Sequence, residues 1–114
     1  MSHAVSRLRT QRLARAVRPF LNRGSRAERC PGCRVIPEYC LCAWRPQVEA
    51  KSAMCLLMHD VEPMKPSNTG WLIADVIHVT TAFAWSRTEV DPELLRLLAD
   101  PQWQPYVVFP GEFV

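Results

Sequence analysis

The chain of 114 residues is long enough for one domain at most, and its net charge of +3 hides an uneven distribution. Its longest uninterrupted apolar run, Ala53 to Met58, is far too short to cross a bilayer, which excludes an integral membrane helix. No charged stretch followed by an apolar core opens the chain, so a secretory signal is not expected either, and the composition suits a cytoplasmic protein.

Residues 1–34 hold nine arginines against one acid, Glu28, leaving five basic and ten acidic side chains in residues 35–114. A basic arm on a mildly acidic body is an electrostatic tether for a polyanion, and arginine suits phosphate and base stacking better than lysine. A solvated helix face is the plainer alternative. A mitochondrial transit peptide is disfavoured by the scarcity of serine and by the cysteine cluster that follows directly. Within the arm, residues 10–22 read as an amphipathic helix, with Leu13, Val17, Phe20 and Leu21 on one stripe and Arg12, Arg15 and Arg18 opposite. Asn22, Arg23 and Gly24 supply its stop.

Residues 25–46 are rich in cysteine and proline and too broken for regular structure. Cys30, Cys33, Cys40 and Cys42 follow the spacing C-x2-C-x6-C-x-C. The Cys30-Pro31-Gly32-Cys33 turn aims backbone amides at sulfur and favours thiolate, and four thiolates close a tetrahedron around zinc. Such a site supplies folding energy where little apolar material exists, and four protein ligands leave no open position for water, so the metal is structural. Disulfides, a redox pair or unrelated thiols are the alternatives, each disfavoured by the absent secretory signal, the C-x-C pair or the setting. Cys55 reads as a small buried hydrophobe.

From residue 51 the pattern alternates between strand and helix. Ala53 to Met58 reads as a strand buried on both faces. A loop with two prolines follows, and Asn68 or Thr69 caps a helix carrying Trp71, Leu72, Ile73, Val76 and Ile77. Thr80 to Trp85 is a second strand, Asp91-Pro92 opens a helix through Leu98, and Tyr106 to Phe109 is a third strand. The order β-α-β-α-β implies parallel strands, and a sheet of three such strands is expected to be incomplete.

The loop from His59 to Gly70 holds the densest chemistry. It follows the carboxyl end of a predicted parallel strand, where open α/β sheets bind ligands. The amides of Thr69, Gly70 and Trp71 with the helix dipole attract a carboxylate or phosphate. Lys65 adds a charge there, and Ser67, Asn68 and Thr69 add hydrogen-bonding groups. The plain alternative is a capping turn, with His59 a structural histidine and Glu62 paired to Lys65.

Arg29-Cys30-Pro31-Gly32-Cys33 to Tyr39-Cys40-Leu41-Cys42, followed by Leu56-Leu57-Met58-His59-Asp60-Val61-Glu62-Pro63-Met64-Lys65-Pro66-Ser67-Asn68-Thr69-Gly70, resembles the DTW-domain tRNA-uridine aminocarboxypropyltransferases. Arg18-Pro19-Phe20, Trp85-Ser86-Arg87-Thr88, Pro101-Gln102-Trp103-Gln104-Pro105 and Phe109-Pro110-Gly111-Glu112 are similar to that family as well. The resemblance implies a SPOUT-like α/β fold and transfer of the 3-amino-3-carboxypropyl group of S-adenosylmethionine to N3 of a tRNA uridine, with methylthioadenosine leaving. The family's Asp-x-Thr-Trp motif is absent from the 114 residues. The expectation is therefore an N-terminal portion that lacks the catalytic base: a basic helix in 1–24, a four-cysteine zinc module in 25–46 and the first part of the α/β domain in 47–114. Expected ligands are zinc on Cys30, Cys33, Cys40 and Cys42, and donor or phosphate near His59, Glu62, Lys65, Ser67, Asn68, Thr69 and Gly70. Expected RNA contacts are Arg12, Arg15, Arg18, Arg23 and Arg26. The alternative is a non-catalytic zinc-containing module that binds tRNA or protein.

Overall fold

The structure, a computed structural model, describes residues 2–19, 21, 26–109 and 111–113. Its regular elements are helix α1 (Ala4–Ala14), strand β1 (Met54–Met58), helix α2 (Thr69–Val76), strand β2 (Thr80–Ala84) and helix α3 (Pro92–Ala99), joined by short 3-10 turns. β1 and β2 pair in parallel, with Met54 opposite Thr80 and Met58 opposite Ala84. A single bridge between Val48 and Ile77 extends the pairing upstream.

Side chains two apart along a strand share a face. Leu56 and Met58 of β1 and Ala82 of β2 therefore point the same way, and they meet Val5 and Leu8 of α1 and Trp71 and Ala74 of α2 in one core. Cys55 and Leu57, on the other face of β1, are exposed. The strand expected to be buried on both faces is thus covered on one, and Cys55 is an exposed thiol instead of a buried hydrophobe. The continuous apolar run conceals this, because periodicity cannot report a face that no element packs upon.

The first helix departs most from expectation: it covers Ala4–Ala14, not residues 10–22. His3 caps it, its Nδ1 accepting from the Ser6 amide at 3.1 Å while Ser6 Oγ accepts from the His3 amide at 2.8 Å. This is the reciprocal geometry of a capping box, made with histidine in place of the usual serine or threonine. Val5 and Leu8, one turn apart, form the buried stripe, whereas Val17 lies beyond the helix and is 95% exposed. Phe20, Asn22, Arg23 and Gly24 lie outside the described residues.

The other two helices start where expected. Asn68 Oδ1 accepts from the Gly70 amide at 2.9 Å, and Asp91 Oδ1 accepts from the Glu93 amide at 2.9 Å with Pro92 in the first turn. Tyr106 to Phe109, expected as a third strand, is not a strand of the sheet, which among the described residues consists of β1 and β2, and Val107 and Val108 are each 92% exposed. β-propensity reflects packing context as much as composition, and this segment is not laid against the sheet. No helix among the described residues is long and apolar enough to cross a membrane.

Gly70 sits where α2 crosses β1. A Cβ there would stand 2.2 Å from Met58 Cε and 3.1 Å from the capping Asn68 Oδ1. Gly70→Ala is accordingly expected to lower stability by about 1–3 kcal/mol through overpacking, read by chemical denaturation with zinc in excess. A loss below about 0.5 kcal/mol would show that the Met58 side chain simply moves aside.

Candidate metal centre

Cys30, Cys33, Cys40 and Cys42 converge, all four sulfurs lying within 4.8 Å of one another. The Cys30–Cys42 and Cys30–Cys40 separations are 3.7 Å and Cys33–Cys40 is 3.8 Å. A regular tetrahedron with the usual zinc–sulfur bond has sulfur–sulfur edges of about 3.8 Å, so the spacing is that of a metal site and far from a disulfide bond. All the cysteines are free thiols.

Backbone hydrogen bonds shape this arrangement. The Cys30 amide donates to the Val35 carbonyl and the Arg34 amide to the Cys30 carbonyl, each at 2.8 Å, which closes the knuckle. Arg34 completes the turn at φ 64°, a conformation uncommon for a side-chain-bearing residue. Gly32 is required at the tip, since a Cβ would lie 2.8 Å from Cys42 Sγ and 3.7 Å from Cys30 Sγ, inside the sulfur cluster.

Amides also set the charge. Those of Cys33 and Gly32 point at Cys30 and hold its thiol down at about 6. Burial raises the Cys33 thiol, but the Leu41 and Val35 amides outweigh it and the net direction is down. Hydrogen bonding to Cys40 and Cys30 pushes the Cys42 thiol up to about 12, its proton being shared with neighbouring sulfur. A divalent cation displaces the thiol protons, giving four thiolates on one ion with a net charge of minus two. The donor set is consistent with zinc, and four protein sulfurs leave no place for a reacting water.

Second-layer contacts bind this centre to the core. Trp71 Nε1 donates to the Gly32 carbonyl at 3.1 Å, and Arg45 Nη2 donates to the same oxygen at 3.2 Å. Arg45 Nη2 also lies 3.6 Å from Cys42 Sγ, and its Nη1 lies 3.5 Å from Asp75 Oδ1. Asp75, 8% exposed in the last turn of α2, also has His3 Nε2 at 3.0 Å from the same Oδ1. That approach is an electrostatic contact and not an aligned hydrogen bond. Because His3 Nδ1 accepts from Ser6, the neutral ring carries its proton on Nε2, facing the carboxylate. Burial lowers the His3 pKa, Asp75 opposing and Arg45 assisting. The His3 ring also meets the Trp71 ring edge to face, centroids 4.6 Å apart.

His3, Arg45 and Asp75 carry no expectation from the sequence, and Trp71 is expected there only as a helix residue and through its backbone amide. Asp75 had a signal, a lone carboxylate inside the apolar stretch Ile73-Ala74-Asp75-Val76-Ile77. A charge in such a position is buried only with a partner.

The loop residues sit as follows. His59, Ser67 and Thr69 are exposed, while Asn68 and Gly70 are buried at the start of α2. Asn68 is occupied by its cap to Gly70 and by a 3.7 Å contact from Nδ2 to Met58 Sδ. Lys65 Nζ pairs with Glu62 at 3.1 Å. Among the arm residues, Arg12 Nε stands 3.0 Å and Arg15 Nη2 3.9 Å from Asp60, docking the end of α1 onto this loop. Arg18 and Arg26 are exposed, and Arg23 lies outside the described residues.

Fold and site together define a small α/β protein with an N-terminal helix, a two-stranded parallel sheet and a four-cysteine cluster able to hold a metal ion. A family model described as the DTW domain matches residues 27–114, and the chain belongs to that family. Membership supports a role connected with tRNA modification. No solved structure matches the chain.

Three outcomes follow for the centre. Cys33→Ser is expected to abolish stoichiometric zinc binding and to lower the melting temperature to that of the chelator-treated protein, read by metal analysis and thermal scanning. Arg45→Met should weaken zinc about 10- to 100-fold in a competition titration while leaving one ion per chain; unchanged affinity would remove Arg45 from the metal's surroundings. Acidification should weaken zinc throughout, since the Cys42 proton must leave on binding, and more steeply below about pH 6, where Cys30 also takes a proton. A slope that does not steepen there would contradict the low Cys30 pKa.

Proposed function

We propose that this protein acts in a transfer reaction of S-adenosylmethionine, carrying its 3-amino-3-carboxypropyl group to N3 of a tRNA uridine on a SPOUT-like fold in the cytoplasm. The uridine N3 loses its proton, the new N–C bond forms, and the C–S bond breaks to release methylthioadenosine. The observation that carries this reading is the DTW-domain match over residues 27–114, a span that takes in the cysteine cluster and the β1–loop–α2 unit together.

The geometry is compatible with a ligand edge. The segment from His59 to Gly70 follows the carboxyl end of β1 in a parallel pair, the position where open α/β sheets bind ligands. His59, Ser67 and Thr69 present their side chains to solvent there, with the Lys65–Glu62 pair alongside. On this reading Lys65 meets the donor carboxylate or an RNA phosphate, a role for which it exchanges Glu62, its half-buried partner three residues earlier. Asn68 and Gly70 shape the edge without needing to touch the ligand. Zinc in the four-cysteine centre serves as scaffold.

The test is nucleoside analysis of tRNA from cells with and without the coding gene. Loss of the aminocarboxypropyl-modified uridine on deletion, restored by the wild-type gene, is the expected result. An unchanged nucleoside profile would exclude this transfer and favour a binding module. Lys65→Ala and Thr69→Ala change a half-buried and an exposed position and spare the α2 cap, so a normal modification level in that double variant would exclude this edge as the donor site.

A further inference from the structure

His3 stands at the N-cap of α1 with both ring nitrogens committed. Nδ1 accepts from the Ser6 amide at 3.1 Å, and Nε2 lies 3.0 Å from Asp75 Oδ1. Its side chain is 13% exposed and its ring meets Trp71 edge to face, whereas His59 and His78 are exposed. Only a neutral ring with its proton on Nε2 satisfies both contacts. A second proton has one place to go, Nδ1, and there it meets the Ser6 N–H, two donors with no acceptor between them. Protonation of this ring therefore removes the side-chain half of the cap.

We propose that His3 is an acid-released clasp: its neutral ring holds the first turn of α1 against α2, and its protonated ring lets that turn go. Among the described residues, the charged groups that face the ring are Asp75 of α2 and Arg45 of the cysteine segment. Asp75 alone would welcome an imidazolium, but Arg45 Nη1, 3.5 Å from the same Oδ1, already supplies a cation. Burial disfavours the charged ring most, Asp75 opposes that effect and Arg45 adds to it, and the net direction is down. A histidine held below its ordinary value of about 6.5 contributes stability that is present above that value and is lost as pH falls through the folded one. The first turn depends on the clasp. With 11 residues, α1 is too short to persist without its cap and its packing. Its Val5, fully buried, sits two residues after His3 in the cluster with Met58, Trp71 and Ala74. Opening the turn uncovers that cluster, so acid reaches the first turn of α2.

The experiment follows the zinc-loaded, nitrogen-15-labelled chain by NMR from about pH 7.5 to about pH 5, with zinc in excess and metal content measured at each point. Protection of the Ser6 and Arg7 amides, which bond to the His3 ring and carbonyl, is expected to fall. One proton taken up on opening sets the fall at up to about tenfold per pH unit, beginning near the ordinary histidine value. The His3 Nδ1 resonance should move from the proton-free to the protonated form with the same midpoint, below about 6.5. His3→Asn keeps an acceptor at the cap and takes up no proton, so its α1 protection should stay level across the range. Level protection in the wild-type chain, or an equal fall in His3→Asn, would overturn the clasp. So would a His3 midpoint at or above the ordinary value, because protonation would then tighten the turn. Opening of α1 only at those points where zinc has left would assign the acid response to the cysteines, and it too contradicts the proposal. Should His3→Asn lose its helix, the wild-type ring decides: a ring that gains its proton while α1 stays protected overturns the clasp.

Discussion

The structure depends on one buried carboxylate. Asp75 lies in the last turn of α2, and its Oδ1 meets both His3 from the cap of α1 and Arg45 from the end of the cysteine segment. Arg45 in turn reaches the Gly32 carbonyl and the Cys42 sulfur, and Trp71, one turn before Asp75, reaches that same carbonyl. The cysteine segment, which shares little apolar surface with the two helices, is therefore joined to them through a charge. Burying an ion pair is costly in itself, and removing one partner from such a pair costs about 3–5 kcal/mol because the other is stranded. The arrangement is better regarded as a specification of geometry than as a source of stability.

The metal centre and the helical core are on this account one cooperative unit. The knuckle has almost no core of its own: Cys33 is the buried apolar residue it contributes. Its shape comes from amide–sulfur contacts and the ion they prepare for, and its position comes from Trp71 and Arg45. With the ion bound, the four thiolates and the cation carry a net charge of minus two, which Arg45 faces at Cys42. The same guanidinium holds the cluster against Asp75.

Local chemistry was legible in the sequence wherever a residue type has few uses. The cysteine spacing led directly to the sulfur cluster, Asn68 and Asp91 marked helix starts, and β1 and β2 were found in parallel order. Context-dependent features were not legible. Periodicity drew the first helix too late because His3 is an unusual cap and the buried stripe is only Val5 and Leu8. Tyr106 to Phe109 has the composition of a strand, yet pairing is a property of two segments. The His3–Asp75–Arg45 junction joins residues far apart in sequence, so no local pattern could announce it.

Hydrogen exchange with and without zinc tests the central claim most directly. If the junction transmits metal binding, zinc should slow exchange in α2 around Asp75 and at the start of α1 near His3, and Asp75→Asn should confine the protection to the knuckle. Protection limited to residues 29–45 in the wild-type protein would contradict a single cooperative unit and leave the metal centre an independent module.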